Sequence, residues 1–265
     1  MAPPVRRTPR RSDASRVVET AVRTPAAERW RTLAGRLSPA ALIGFLTGAI
    51  VGGFGGRIAM LVLRLTSDPS VRGLESDDGF TIGVVSGATA FLVMATAFLG
   101  VLGAVVYLVI RPWIPSRLRP WASAIFAGVV GGAAVIRPNG IDFRLLSPIP
   151  LAVAMFIVLP AAYGYVLAVL VERRFQRPAG RRWRSFIGLA LLIPLLPLPI
   201  TLGLRSSTAF GVFVGVVVVI WFLGRGAGLA STWTSPAVTW LGRTAVAVLT
   251  VLAGSALIRD IAAVL

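Results

Sequence analysis

The stretch from Phe80 to Ile110 contains no charged side chain. Wound as a helix at about 1.5 Å per residue it is roughly 46 Å long, against a hydrocarbon core of about 30 Å. Two spans would need about 40 residues and a turn, so one long, tilted membrane helix is expected there.

Comparable apolar runs recur along the chain. With 56% hydrophobic and 14% charged residues among 265, and a mean hydropathy of +0.82, there is more apolar surface than one soluble core buries. The expected fold is an all-α, polytopic transmembrane helix bundle of about seven spans, at 39–65, 80–110, 121–136, 148–171, 186–204, 208–224 and 236–258. Residues 1–37 precede this bundle region, 38–265, as a polar, Arg-rich tail expected to be largely disordered. Within the tail, Thr24 and Pro25 form an N-cap and N1 pair, and Trp30, Leu33 and Leu37 share one helical face among Arg29, Arg31 and Arg36. That pattern reads either as a short interfacial helix near 25–37 or as a solvated linker.

The formal net charge of +17 rests on 27 basic residues, every one of them Arg. They cluster in the short polar stretches between apolar runs and form no single soluble face, so no nucleic-acid partner is expected. Arg111, Arg117 and Arg119 follow the second span without an acid among them. The segment 172–185 holds Arg173, Arg174, Arg177, Arg181, Arg182 and Arg184 against Glu172 alone. The loop after the first span is acidic, with Asp68, Glu75, Asp77 and Asp78 against Arg72. By the positive-inside rule the N-terminus is cytoplasmic, in a bacterial-type cell membrane, and seven spans place the C-terminus outside. The Arg-rich inner segments are the expected contact with anionic lipid.

The residue types absent from the chain exclude much chemistry. Without Lys there is no retinal or pyridoxal Schiff base. Without His or Cys the usual ligands of zinc, copper, haem and iron–sulfur clusters are missing, as are Cys nucleophiles, His bases and disulfides. No Walker, His-Glu zinc or intramembrane Gly-x-Ser-Gly motif with a His partner occurs. The expectation is a protein with no metal, no cofactor and no enzymatic activity.

Gly44, Gly48, Gly52 and Gly56 fall at successive i+4 positions in the first span. On a helix they form a groove without side chains, open to another helix at backbone distance. The short third span, with Gly128, Gly131 and Gly132, is its natural partner, and such faces also serve homo-oligomerisation.

Two features carry candidate chemistry. Arg57 lies roughly 12 Å below the outer end of the first span by helical rise, with Ala49 and Gly53 on its own face as a small-walled recess. A cation at that depth must face the bundle. It reads as an anion site in a cavity or as a structural partner of Asp142, Asp77 or Asp78. In the fifth span, Pro194, Pro197 and Pro199 free the carbonyls of Ala190, Ile193 and Leu195. Broken helices of this kind coordinate cations in transporters, or are repaired by neighbours such as Thr201.

Gly55, Gly56, Arg57, Ile58, Ala59 and Met60, together with Asp142, Phe143, Leu146 and Pro148, resemble uncharacterised multi-pass membrane proteins of high-GC, actinobacterial type. The resemblance implies a multi-pass helical fold and carries no activity with it. The expected function is binding or movement of a small solute or ion through a cavity near Arg57 and the fifth span. The alternative is a scaffold that packs through its glycine faces.

Overall fold

The computed structural model describes residues 26–69, 87–136, 147–177, 182–195, 224 and 230–265. Asp77, Asp78, Asp142, Pro197, Thr201 and nearly all of the sixth span lie outside them. Among the described residues the chain is helical, with no strand. The elements are α1 (Ala26–Thr47), a π-helical segment (Gly48–Phe54), α2 (Gly55–Thr66), α3 (Gly87–Ile110), α4 (Arg119–Val135) and α5 (Ile149–Phe175). Then come α6 (Arg182–Ala190), the short α7 (Ala230–Trp233) and α8 (Pro236–Val264), with 3-10 turns at Arg111–Trp113 and Ile193–Leu195. Four stretches are long and apolar enough to cross a membrane: Trp30–Thr66, Thr89–Trp113, Ile149–Phe175 and Pro236–Val264. At 17 residues, about 25 Å, α4 is shorter than such a span requires, yet it packs along α5.

The first helical rod differs from its expected form at its start. It runs unbroken through Pro39, and Leu33 and Leu37 are buried with Leu108 and Leu167 in the larger of the two core clusters. Of the face expected to lie on a membrane surface, Leu33 and Leu37 are covered by protein and Trp30 stays exposed. On the other side, Leu46, Ile50, Phe54 and Ile58 form an exposed i+4 stripe, the side left for lipid.

Gly44 and Gly48 pack against α3, not against the third span. A Cβ at Gly100 would reach 2.8 Å from the Cα of Gly48, and one at Gly44 would reach 2.7 Å from the Cβ of Ala104. Only glycine permits that approach, and in lipid the gain comes from dispersion between close-packed backbones. Gly52 and Gly53 meet Thr96 and Val93 of the same helix, so α3 fills the recess expected beneath Arg57. Gly56 departs from the row and has no neighbouring atom within 4 Å of its Cβ position. The contact with α3 at this level is made by the Arg57 side chain, one residue on, which reaches the Thr89 hydroxyl, so no close backbone approach occurs at Gly56. A π-helical segment precedes it, in which the Gly55 N–H reaches the Ile50 carbonyl five residues back. Past that segment Gly55 lies against Leu159 of α5 instead.

Gly128, Gly131 and Gly132 are used on α5. Gly128 meets Ala161 and Ile157, Gly131 receives the ring of Pro160, and Gly132 lies against Ile157 and Leu257. From α5, Tyr163 reaches α3 and donates to the Gly100 carbonyl at 2.6 Å. Away from the N-terminal end of α1, Leu63, Ile136, Ala152, Val153 and Leu257 form the second buried cluster, and the hydroxyls of Thr66 and Ser67 donate to the Ser147 carbonyl at 2.9 and 3.1 Å.

The described part of the fifth span breaks where its prolines predict. Helix α6 stops at Ala190, four residues before Pro194, whose ring would clash with that carbonyl, and the chain continues as a 3-10 turn. Gly188 lies against the backbone of Ser38. Helix α8 is capped by Ser235, whose Oγ accepts from the Val238 N–H at 3.4 Å. It passes the expected end at Ile258 and takes Arg259 and Asp260 into the helix.

Candidate functional site

The described basic segments meet at one end of the bundle. Arg36 comes from α1, Arg111 from the 3-10 turn that closes α3, Arg119 from the first position of α4, and Glu172 and Phe175 from the last turn of α5. Thr234, just after α7, completes the ring.

Glu172 is the hub. Its Oε1 accepts from the Tyr107 hydroxyl at 2.7 Å and from Arg111 Nε at 2.5 Å, while its Oε2 accepts from Arg111 Nη2 and Arg119 Nη1, both at 2.9 Å. A carboxylate offers about four lone-pair sites, so this one is saturated. It is held as an orienting counter-ion and has no capacity left for a metal ion or a substrate proton. Arg119 is fixed further by Nε donating to the Ile114 carbonyl at 3.2 Å, and the Arg111 guanidinium lies 5.0 Å from the centre of the Phe175 ring. Two of the three arginines are therefore pre-oriented by one acid.

Between these elements is a cleft of about 290 Å³. One part of its wall is Arg36, Arg111, Arg119 and Thr234; the other is Leu33, Leu108, Pro112 and Phe175. Arg36 is exposed, and the ion pairs of Arg111 and Arg119 are both with Glu172. Three guanidinium groups thus line the cleft, two of them paired with the Glu172 carboxylate. The wall carrying Thr234 is pinned by tryptophans. Trp233 stacks on Trp113 at 5.3 Å and donates Nε1–H to the Val109 carbonyl at 3.2 Å, while Arg243 of α8 donates to the Trp113 carbonyl at 2.8 Å. Gly242 leaves room for the Trp113 ring, which a Cβ would strike.

The residues singled out from the sequence are distributed differently. Arg57, half-buried on α2, donates Nη2–H to the Thr89 hydroxyl of α3 and approaches Met60 Sδ at 3.9 Å. The groove on that part of the bundle, about 360 Å³ between α2 and α5, is lined by Gly55, Ile58, Ala59, Val62, Met155 and Leu159 among other apolar residues. It offers an acyl chain a surface and offers an ion nothing. Pro194 lies in the 3-10 turn, while its expected partners Pro197 and Thr201, and Asp142, an expected partner of Arg57, are outside the described residues. Among the described residues no cluster of acids could hold a metal. Glu172, Arg111, Arg119 and Tyr107 were not recognised as a unit from the sequence. The available signal was a lone acid closing an apolar run directly before Arg173 and Arg174, with Tyr107 and Arg111 one turn apart at the end of another.

No family model, curated protein or solved structure matches the chain.

Proposed function

We propose that the chain is a non-enzymatic, multi-pass protein of the cell membrane, with about seven spans and a cytoplasmic N-terminus, that binds a small anion at the arginine cleft. The observation that carries this reading is the convergence of Arg36, Arg111 and Arg119, from three separate elements, on one cleft, with two of the three held by a saturated carboxylate. Planar guanidinium groups are suited to oxyanions, and pre-orientation by Glu172 lowers the ordering cost of binding. The positive-inside rule supports the orientation, since residues of α1, the α3–α4 connection and the end of α5 gather at the same end. An even number of crossings between α5 and α8, both of which reach that end, accommodates the fifth and sixth spans.

Binding at the bundle end is favoured over passage of an ion near Arg57, because the groove there is apolar. The scaffold reading loses its main surface, since Gly44, Gly48, Gly128 and Gly132 are occupied by helices of the same chain.

Thermal unfolding of the purified full-length chain in neutral detergent tests the reading, with sulfate as the soluble probe and chloride at matched ionic strength as reference. Sulfate is expected to raise the midpoint of the native protein through binding to the folded state, and to do so much less in Arg36→Gln. An equal rise in both proteins is a general salt effect and removes the site.

A further inference from the structure

Resting on that reading, we infer that the cleft recognises a phosphate monoester, presented by a membrane lipid whose acyl part leaves over the apolar wall. Charge is the first argument. Glu172 compensates one of the three guanidinium groups around the cleft, which leaves two positive charges. A phosphate monoester carries close to two negative charges at neutral pH, about −1.5 to −2. A carboxylate or a phosphodiester carries one, and would leave a guanidinium uncompensated beside Leu33 and Phe175.

The second argument is donor geometry. Arg111 spends Nε and Nη2 on Glu172 and keeps Nη1, while Arg119 spends Nη1 on Glu172 and Nε on the Ile114 carbonyl and keeps Nη2. Arg36, from α1, adds a whole guanidinium. Donors supplied by three separate elements suit a tetrahedral group with three terminal oxygens better than a planar one with two.

Size is the third. About 290 Å³ is at the lower edge of small-molecule sites, which span about 300–1,000 Å³, enough for a head group while the acyl chains of a lipid must lie outside it. Leu33, Leu108 and Phe175 form the wall along which a glyceride would continue, and basic pockets between helices at this depth suit anionic head groups.

Isothermal titration of the purified full-length chain in neutral detergent tests this with four probes: short-chain phosphatidic acid, short-chain phosphatidylglycerol, glycerol 3-phosphate and inorganic phosphate. Arg36→Gln removes one cleft charge at an exposed position, and Arg117→Gln removes the same charge at an exposed position that does not line the cleft. Phosphatidic acid is expected to bind at least about tenfold tighter than phosphatidylglycerol. Arg36→Gln should weaken it about tenfold or more, and Arg117→Gln should leave it within about twofold. Equal affinity for both lipids, still lost in Arg36→Gln, overturns the monoester inference and keeps the anion site. Glycerol 3-phosphate or inorganic phosphate binding as tightly as phosphatidic acid, with the same dependence on Arg36, keeps the chemistry and overturns the lipid source. Binding of every probe unchanged by Arg36→Gln, or absent, overturns the inference and the anion reading together.

Discussion

Glu172 occupies the last turn of α5, where unpaired carbonyls repel an anion, and Arg119 opens α4, where unpaired N–H groups repel a cation. Each stands at the helix end its charge disfavours, and their contact offsets both penalties. Glu172→Gln keeps the shape and removes the charge, leaving Arg111 and Arg119 to repel each other. Breaking a fully buried pair costs about 3–5 kcal/mol; these side chains retain 16–24% exposure, so a smaller loss, about 1–3 kcal/mol, is expected in chemical unfolding. Tyr107→Phe removes one hydrogen bond to the same carboxylate and should cost about 1 kcal/mol. A loss for Glu172→Gln no larger than for Tyr107→Phe would mean that the carboxylate is not the hub. In the sequence Glu172 was visible as the lone acid in an arginine-rich segment. Its partners were not, because Arg119, Arg111 and Tyr107 lie 53, 61 and 65 residues away and nothing local encodes their meeting.

The helices show where pattern reading stops. That Gly44 and Gly48 form a backbone-contact face follows from their spacing, and the structure uses them so. Their partner, α3, was not legible, because Gly100 is one small residue among several in a uniformly apolar run. The π-helical segment was not legible either, since a glycine-rich stretch accommodates a wide turn without announcing one. These positions separate by substitution. Gly48→Leu drives a side chain into the α3 backbone, and overpacking of this kind costs about 1–3 kcal/mol or more. Gly56→Ala meets open space, and removing a helical glycine should leave stability unchanged or raise it by about 0.5–1 kcal/mol. Unfolding of both variants in the same detergent checks the pair; equal losses would contradict the face assignment. For the fifth span the proline rule reached further, since the end of α6 at Ala190 follows from the ring of Pro194 alone.

At the scale of the molecule, the lack of native cysteine permits a direct test of orientation. Ser116, in the α3–α4 connection, is exposed on the arginine end, and Leu265, at the far end of α8, is 70% exposed. In intact cells a membrane-impermeant thiol reagent should label Leu265→Cys, and Ser116→Cys only after permeabilisation. The reverse pattern would turn the cleft to the outside and overturn the proposed orientation. The sequence by itself determined the solvent, the helical class and the gathering of arginines at one end. Long apolar runs have no other place to go, and charge is sorted segment by segment along the chain. Only the tertiary structure decided which glycine face met which helix, that α3 would fill the recess beneath Arg57, and that one carboxylate would gather Tyr107, Arg111 and Arg119 into a cleft. Those outcomes depend on the rotation of each helix about its own axis. In a chain whose helices are apolar on most sides, packing between particular pairs sets that rotation, and hydrophobic periodicity does not.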